Sequence, residues 1–341
     1  MRKILLTTTA LVALGGVSAA SAVDISGSYA FTYTDTSNTG GSADAPEVSG
    51  DSFGNDTNID FTNSITTDSG VTWTALYRIN GTPAVEDMGL TASHPDFGTF
   101  MAGQTDGIVD GLDGFMLGSA MAESGAPGTA NNTALTYSLN TGAAVTDNAT
   151  TGKIGWRSND ISGFQVGVSY EDAGSAAAAN NDVMSWIVTY DFGVAKIGYA
   201  NADVDGANND GADTDMTHYG VGTSFMGATI AVGFGSEKTS NTAVLGSDNV
   251  SDIDTRDLGI SYDVDDNLSL YYVNVRSEEK SSNGTDAGDK LESQAYGAYY
   301  TIAPGVTANL EWADSDYTDA TAGSGNSDGR QTTYGFLKVA F

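Results

Sequence analysis

The chain has 341 residues, a formal net charge of −31 at pH 7 and no cysteine. This charge excludes a nucleic-acid-binding protein, which needs a basic surface, and the absence of cysteine excludes a disulfide framework. Hydrophobic residues make up 40% of the chain and aromatic residues 9%. Because these residues are regularly placed, the chain is not an acidic disordered protein.

The first 22 residues have the pattern of a secretory signal peptide. Two basic residues begin it, the apolar run 4–17 follows, and residues 20–22 form a small-x-small cleavage site. The run is shorter than the roughly 20 apolar residues of a membrane-spanning helix, and no later run approaches that length. We expect cleavage after Ala22 and an exported mature chain, 23–341, that is either soluble or an outer-membrane barrel.

The mature chain alternates apolar and polar residues with a period of two. In its first segment, 23–34, Ile25, Tyr29 and Phe31 fall on one side and polar residues on the other. A soluble sandwich has strands of about five or six residues, whereas a strand that crosses a bilayer needs about nine to eleven. The length of this segment favours a barrel strand.

The same alternation predicts sixteen strands, joined in turn by tight turns and by long polar loops. The long loops are predicted at 35–56, 105–152, 203–215, 238–252, 278–291 and 316–330. Short turns on one side, long loops on the other and an even strand number are typical of a transmembrane β-barrel. Such a barrel has no sheet edge, and sixteen strands leave a lumen wide enough for water. We therefore predict an all-β fold, a 16-stranded antiparallel transmembrane β-barrel.

Two details of this pattern stay open. The strand 268–276 has apolar residues on both sides, so its faces cannot be assigned from the sequence. Arg256 shares the apolar side with Leu258, and a lipid-facing arginine at mid-bilayer costs about 2–4 kcal/mol. We expect Arg256 near the rim of the barrel or in a subunit contact.

The segment 105–152 is the long stretch that breaks the strand rhythm. Its acids Asp106, Asp110 and Asp113 have the spacing of one helix face, and an apolar stripe at Ile108, Leu112 and Phe115 takes the opposite side. One interpretation is a surface loop with solvated acids. The other is a segment that lies against the inner wall of a barrel with its carboxylates toward the pore.

Short segments spread over the expected mature chain point to one family. They are the start Val23-Asp24-Ile25-Ser26-Gly27, the segments Met88-Gly89-Leu90, Phe97-Gly98-Thr99 and Gly103-Gln104, and the end Tyr334-Gly335-Phe336-Leu337-Lys338-Val339-Ala340-Phe341. In these residues the chain resembles the Gram-negative general porins, most closely the alphaproteobacterial porins of the Rhodobacter type. The resemblance implies an outer-membrane channel for the passive diffusion of small hydrophilic solutes, and no enzyme. The alternative is a substrate-specific outer-membrane channel, which ranks lower because most aromatic residues fall on the outward side.

The resemblance also implies which residues do what. The loop 105–152 would fold into the barrel and narrow it, with acids that face basic residues on the wall. The implied loop acids are Asp106, Asp110, Asp113 and Glu123, and the implied wall residues are Arg78, Lys153 and Arg157. The terminal Phe341, Val339 and Leu337 would be the signal read by the barrel assembly machinery. The other implied partners are two further copies of the chain, outer-membrane lipid and lipopolysaccharide, and small hydrophilic solutes.

The acidic segment 203–215 contains a candidate calcium site, made of Asp203, Asp205, Asp210, Asp213 and Asp215. Hard divalent cations prefer such oxygen ligands, but the spacing does not match the EF-hand pattern, and a solvated acidic loop is the alternative. Two histidines and no cysteine leave no His/Cys metal cluster. The negative total charge predicts a weakly cation-selective pore.

Overall fold

The computed structural model describes residues 23–38, 50–80, 85–105, 108, 152–172, 180–207, 212–241, 249–281, 288, 290–319 and 326–341. In these ranges no helix is long and apolar enough to cross a membrane. The predicted signal peptide and the acids Asp106, Asp110, Asp113, Glu123 and Asp210 lie outside the described residues.

The described residues form sixteen antiparallel strands that close into one barrel. Each strand pairs with its neighbours in the chain, and β1 pairs with β16. The strands are β1 (Asp24–Asn38), β2 (Gly50–Thr66), β3 (Thr72–Asn80), β4 (Val85–His94), β5 (Gly98–Gln104), β6 (Gly152–Arg157), β7 (Phe164–Asp172), β8 (Asn180–Asp191), β9 (Lys196–Ala207), β10 (Ala212–Phe225), β11 (Ala228–Asn241), β12 (Asn249–Asp263), β13 (Leu268–Ser281), β14 (Lys290–Ala303), β15 (Val306–Asp319) and β16 (Asn326–Ala340). The predicted fold class and strand number are confirmed.

The first and last strands, β1 and β16, close the barrel. Gly27 and Phe341 exchange two backbone hydrogen bonds, of 2.9 and 3.0 Å, and the ladder runs on from Ser28 opposite Ala340. The ring of Phe341 lies over Gly27, where an added Cβ would stand 3.1 Å from the ring. Closure gives the backbone groups of both terminal strands a partner, so no sheet edge is left.

Two of the tight turns have the backbone geometry that a two-residue hairpin requires. Met226 and Gly227 join β10 to β11 with φ values of 52° and 79°, and Ser162 and Gly163 precede β7 with 57° and 90°. Two successive residues with positive φ are the signature of a type I′ turn, whose twist matches that of the flanking strands.

The two faces of the sheet differ in chemistry, as the alternation predicts. The outward face exposes large apolar side chains around the barrel, among them Ile154, Trp156, Met184, Trp186, Tyr199, Val221, Ile230, Leu270, Leu310 and Leu337. These residues form the apolar belt. The inward face carries mostly small and polar residues, many of them buried. An apolar exterior on a barrel with a polar interior suits contact with lipid outside and water inside.

Several segments predicted to be loops are strand for part of their length. β1 continues to Asn38, β2 begins at Gly50, and β9 and β10 cover 203–207 and 212–215. The loop prediction for these residues was wrong. Beyond the apolar belt the outward residues no longer need to be apolar, so the alternation disappears from the sequence while the backbone ladder continues.

The structure also assigns the faces that the sequence left open. In β13, Tyr271, Val273 and Val275 are buried on the inward side, and Leu270 is exposed on the outward side. Arg256 is exposed on the outward side of β12, directly opposite Arg276 of β13. Its outward neighbours along β12 are Leu258 and Asp254, so it lies at the edge of the apolar belt.

Candidate functional site

The inner wall of the barrel consists of the side chains that alternate with the apolar belt, and it is where the charged groups meet. Of the predicted wall residues, Arg78, Lys153 and Arg157 all occupy inward positions. Arg78 stands opposite Asp60 in the ladder, Lys153 opposite Glu171, and Arg157 opposite Thr99. Alternation in the sequence was enough to assign these three to the inner wall.

Two of the three basic residues are paired with acids of the wall. The Arg78 guanidinium donates from Nε and Nη2 to the two carboxylate oxygens of Asp60, at 2.7 and 3.1 Å. Such a two-point contact fixes both side chains. Lys153 Nζ lies 3.6 Å from Glu171 Oε2, and both side chains are more than nine-tenths buried. The partner acids, Asp60 and Glu171, were missed, although each lies on the polar side of its strand.

The start of the segment 105–152 is attached to this wall. Lys153 Nζ donates to the backbone oxygen of Thr105 at 3.0 Å. Ile108 is 2% exposed and packs with Ile187 and Met101, and its amide donates to Ser169 Oγ at 3.4 Å. All of these wall residues are on the inward side of β5 to β8, so Ile108 lies inside the barrel.

An apolar patch on the inner wall receives Ile108. It comprises Val183, Ile187, Ala200, Ala202, Val204 and Met216, on β8 to β10. Gly167 of β7 also contacts Ile108, since an added Cβ at Gly167 would lie 2.5 Å from the Ile108 side chain. A wall that faces only water is not expected to carry a patch of apolar residues. Burying this patch under Ile108 stabilises the position of Ile108 on the wall. The predicted apolar partner of Ile108 on the wall is thereby identified.

The inward positions of β11 to β15 hold acids that the sequence reasoning did not single out. They are Glu237, Asp257, Glu279 and Glu311, and the last three are at most 6% exposed. His218 of β10 lies beside them, with its Nε2 3.4 Å from Asp257 Oδ2. These acids do lie on the polar sides of their strands, but so do many other residues. Only the register of the closed barrel shows that they share one side of the lumen.

Lysine and arginine at inward positions lie on the other strands, where inward acids such as Asp60, Glu171 and Asp191 also occur. Beside Arg78, Lys153 and Arg157, the inward positions include Lys196 of β9 and Arg330 and Lys338 of β16. In the described parts of β10 to β15, no inward position holds lysine or arginine. In the described inner wall, β11 to β15 therefore carry acids without lysine or arginine, whereas the other strands carry both signs of charge.

The predicted calcium ligands do not form a cation site in the part of the chain that the structure describes. Asp203 and Asp215 are direct partners across the β9–β10 ladder, and both point outward, beyond the apolar belt. Asn201 donates to Asp215 Oδ1 at 2.8 Å. No group of three acidic or histidine side chains within the described ranges is arranged to hold a metal ion.

The sequence and the fold both match one protein family. A family model described as Gram-negative porin matches residues 7–323. Among solved structures, the fold is similar to the anion-selective porin from Comamonas acidovorans, with a TM-score of 0.68 and 14% identity over 94% of this chain and 100% of that one. OmpF of Salmonella typhi, in complex with daunomycin, has a TM-score of 0.71 and 14% identity over 94% and 98%. A mutant of the Rh. blastica porin has a TM-score of 0.58 and 14% identity over 94% and 100%.

At these identities the structural likeness establishes the fold, and the family model establishes the family. No curated protein sequence matches the chain significantly. Because the family match covers most of the chain and the barrel is closed around a polar inner wall, the chain belongs to the Gram-negative porin family and forms a passive diffusion channel in the outer membrane, not an enzyme.

Proposed function

We propose that this channel passes small hydrophilic solutes and ions with a weak preference for cations. The observation that carries the proposal is the group of inward acids Glu237, Asp257, Glu279 and Glu311 on one side of the lumen. Carboxylates that line a narrow aqueous path raise the local concentration of cations and lower that of anions. On the opposite side, Arg78 and Lys153 are already neutralised by Asp60 and Glu171.

Reversal potentials in a potassium chloride gradient across planar bilayers test the proposal. The wild-type channel should favour potassium, and a triple variant with Glu237→Gln, Asp257→Asn and Glu279→Gln should move the reversal potential toward zero. The control is Asp254→Asn, an exposed acid on the outward side of β12, which should leave the potential unchanged. An anion-selective wild type, or an equal shift in the control, would contradict the proposal.

The segment 105–152 is proposed to narrow the lumen, with Asp106, Asp110, Asp113 and Glu123 toward its axis. The burial of Ile108 on the inner wall and the hydrogen bond from Lys153 to Thr105 support a path of this segment into the barrel. Neutralising the first three acids to asparagine should reduce the cation preference and change the single-channel conductance. If these acids belong to a surface loop in bulk solvent, neither quantity will move.

The mature protein is proposed to begin at Val23 after removal of the leader. The pattern of residues 1–22 supports this, and the structure describes strand from Asp24 onward. Mass spectrometry of protein purified from outer membranes would give the mature mass directly. An uncleaved Met1 would contradict the proposed signal peptide.

A homotrimer is proposed from membership of the family. An unheated gel sample should migrate at about three times the size of the heated chain, and channels should close in groups of three equal steps. Single steps with monomeric migration would contradict the trimer. Both measurements use the full protein in detergent.

The carboxyl-terminal residues Leu337, Val339 and Phe341 are proposed to guide assembly, and outer-leaflet lipid and lipopolysaccharide to surround the barrel. The first two residues are exposed on the outward side of β16, and Phe341 is 67% exposed. Replacing Phe341 with serine should reduce the amount of barrel in the outer membrane more than replacing Leu337 with alanine does. Normal assembly of the Phe341→Ser variant would contradict the assembly role.

A further inference from the structure

Aromatic residues on the inner wall are confined to one sector of the barrel. Most aromatic side chains lie on the outward side, as the sequence predicts. Of the phenylalanine, tyrosine and tryptophan residues whose side chains the structure describes in the strands, those at inward positions are all on β13 to β16: Tyr271, Tyr299, Tyr334 and Phe336. We call Tyr271, Tyr299, Tyr334 and Phe336 the aromatic panel.

The panel occupies two adjacent rows of inward positions. One row runs through Tyr271, Gly297, Glu311 and Tyr334, and the next through Ser269, Tyr299, Asn309 and Phe336. The ring of Tyr299 lies 5.1 Å from that of Tyr271 and 6.3 Å from that of Phe336. Phe336 in turn lies 6.3 Å from Tyr334. The four rings are therefore contiguous across four strands.

Tyr271 is the most buried residue of the aromatic panel, and hydrogen bonds hold its side chain in place. Its ring lies flat across Gly297 of the next strand, where any Cβ would overlap it. The Tyr271 hydroxyl donates to Glu311 Oε2 at 2.6 Å and accepts from Asn309 Nδ2 at 3.0 Å. Tyr271 is 6% exposed, whereas Tyr299, Tyr334 and Phe336 are half-buried and present part of their surface to the lumen.

The polar groups of the panel suit a neutral ligand that carries hydroxyls. Asn309 is 6% exposed, and its Oδ1 has no hydrogen-bond partner in the described part of the chain. A buried amide oxygen without a hydrogen-bond donor raises the free energy of the folded protein, and a hydroxyl group of a ligand could supply that donor. Glu311 is 1% exposed and already accepts from Tyr271. Lys338, the next inward position after Phe336, opposes the approach of an organic cation.

From this arrangement we propose that the aromatic panel is a subsite for neutral saccharides on the inner wall, which rests on the proposed water-filled channel. The flat C–H face of a pyranose ring matches an aromatic face, and its hydroxyls match the Asn309 amide and the tyrosine hydroxyls. A wall that binds sugar rings weakly slows their passage and raises their concentration in the lumen. The site makes no covalent change in the solute.

The test is the ion current through single channels of the purified mature protein in planar bilayers, with maltotriose as the probe. Maltotriose should reduce the current in a saturable way, whereas a polyethylene glycol of similar mass should reduce it only as far as it lowers the conductivity of the solution. Phe336→Leu should raise the half-blocking concentration of maltotriose about three- to tenfold, since one stacking contact is lost. Tyr334→Leu is the second variant, in case the first does not assemble. The matched control is Tyr296→Leu, an outward aromatic of β14.

The outcomes separate this proposal from the function on which it rests. Saturable block that weakens in Phe336→Leu or Tyr334→Leu and not in Tyr296→Leu supports the subsite. Ion-conducting channels with no saturable block, equal block in all variants, or block by tetraethylammonium in place of maltotriose would overturn the subsite and leave the channel intact. Protein that forms no channels at all would overturn the channel itself.

Discussion

Asp257 on β12 reaches across β11 to His218 on β10, with 3.4 Å between Asp257 Oδ2 and His218 Nε2. The two side chains are 5% and 1% exposed. They can meet across an intervening strand because β11 has Gly233 and Gly235 at the inward positions between them. A Cβ at Gly233 would overlap the Asp257 carboxylate.

Replacing Gly233 with valine should therefore lower the stability of the barrel. The new side chain overlaps the Asp257 carboxylate and must push it aside, and overpacking a buried position costs about 1–3 kcal/mol. The measurement is the temperature at which the folded form is lost on a heat-modifiability gel. The control is Gly152→Val, where nothing lies within 4 Å of an added Cβ, and valine there suits a strand. Equal stability of the two variants would contradict the role of Gly233.

Gly27 should be equally intolerant of a side chain, for a different reason. An added Cβ would overlap the backbone oxygen of Asn58, and it would also meet the Phe341 ring at 3.1 Å. Backbone cannot move aside as a side chain can, so Gly27→Val should reduce the yield of closed barrel and its unfolding temperature. Gly50→Val on β2 is the matched control, because nothing lies within 4 Å of its Cβ. A normal yield of the Gly27→Val barrel would show that the closure between β1 and β16 tolerates displacement.

Arg78 and Asp60 should show a measurable coupling energy. Their side chains are 31% and 21% exposed, so water screens the pair in part and we expect about 1 kcal/mol in a double-mutant cycle. The cycle uses Arg78→Met, Asp60→Asn and the double variant, with chemical unfolding in detergent as the measurement. Strictly additive effects of the two single variants would mean that the two-point contact contributes nothing.

Gly167→Val should displace Ile108 from the inner wall. The valine would come against Ile108 and Ile187, which lie 2.5 and 2.9 Å from an added Cβ. If the segment after Ile108 narrows the lumen, loosening its start should change the single-channel conductance and increase the noise of the open current. Gly152→Val serves again as control. Unchanged conductance in Gly167→Val would show that the packing of Ile108 against the inner wall does not control the width of the pore.

The architecture could be predicted from the sequence because a barrel in lipid requires apolar and polar residues to alternate within each strand. Each strand must turn alternate residues to lipid, so the period of two is visible strand by strand, from Ile25 to Val339. The same signal assigned Arg78, Lys153 and Arg157 to the inner wall. It failed beyond the apolar belt, at 203–207 and 212–215, where the outward residues need not be apolar and the alternation is lost.

By itself, then, the sequence determined the barrel, its strand number and, except in β13, the side of the wall to which the residues of the apolar belt belong. Only the tertiary structure decided which inward residues meet. The pairs Arg78–Asp60 and His218–Asp257, and the panel of Tyr271, Tyr299, Tyr334 and Phe336, depend on the register between strands and on glycines that let side chains lie across a neighbour. Alternation fixes the face of each strand taken alone, whereas contact across strands is set by how all sixteen are aligned when the barrel closes.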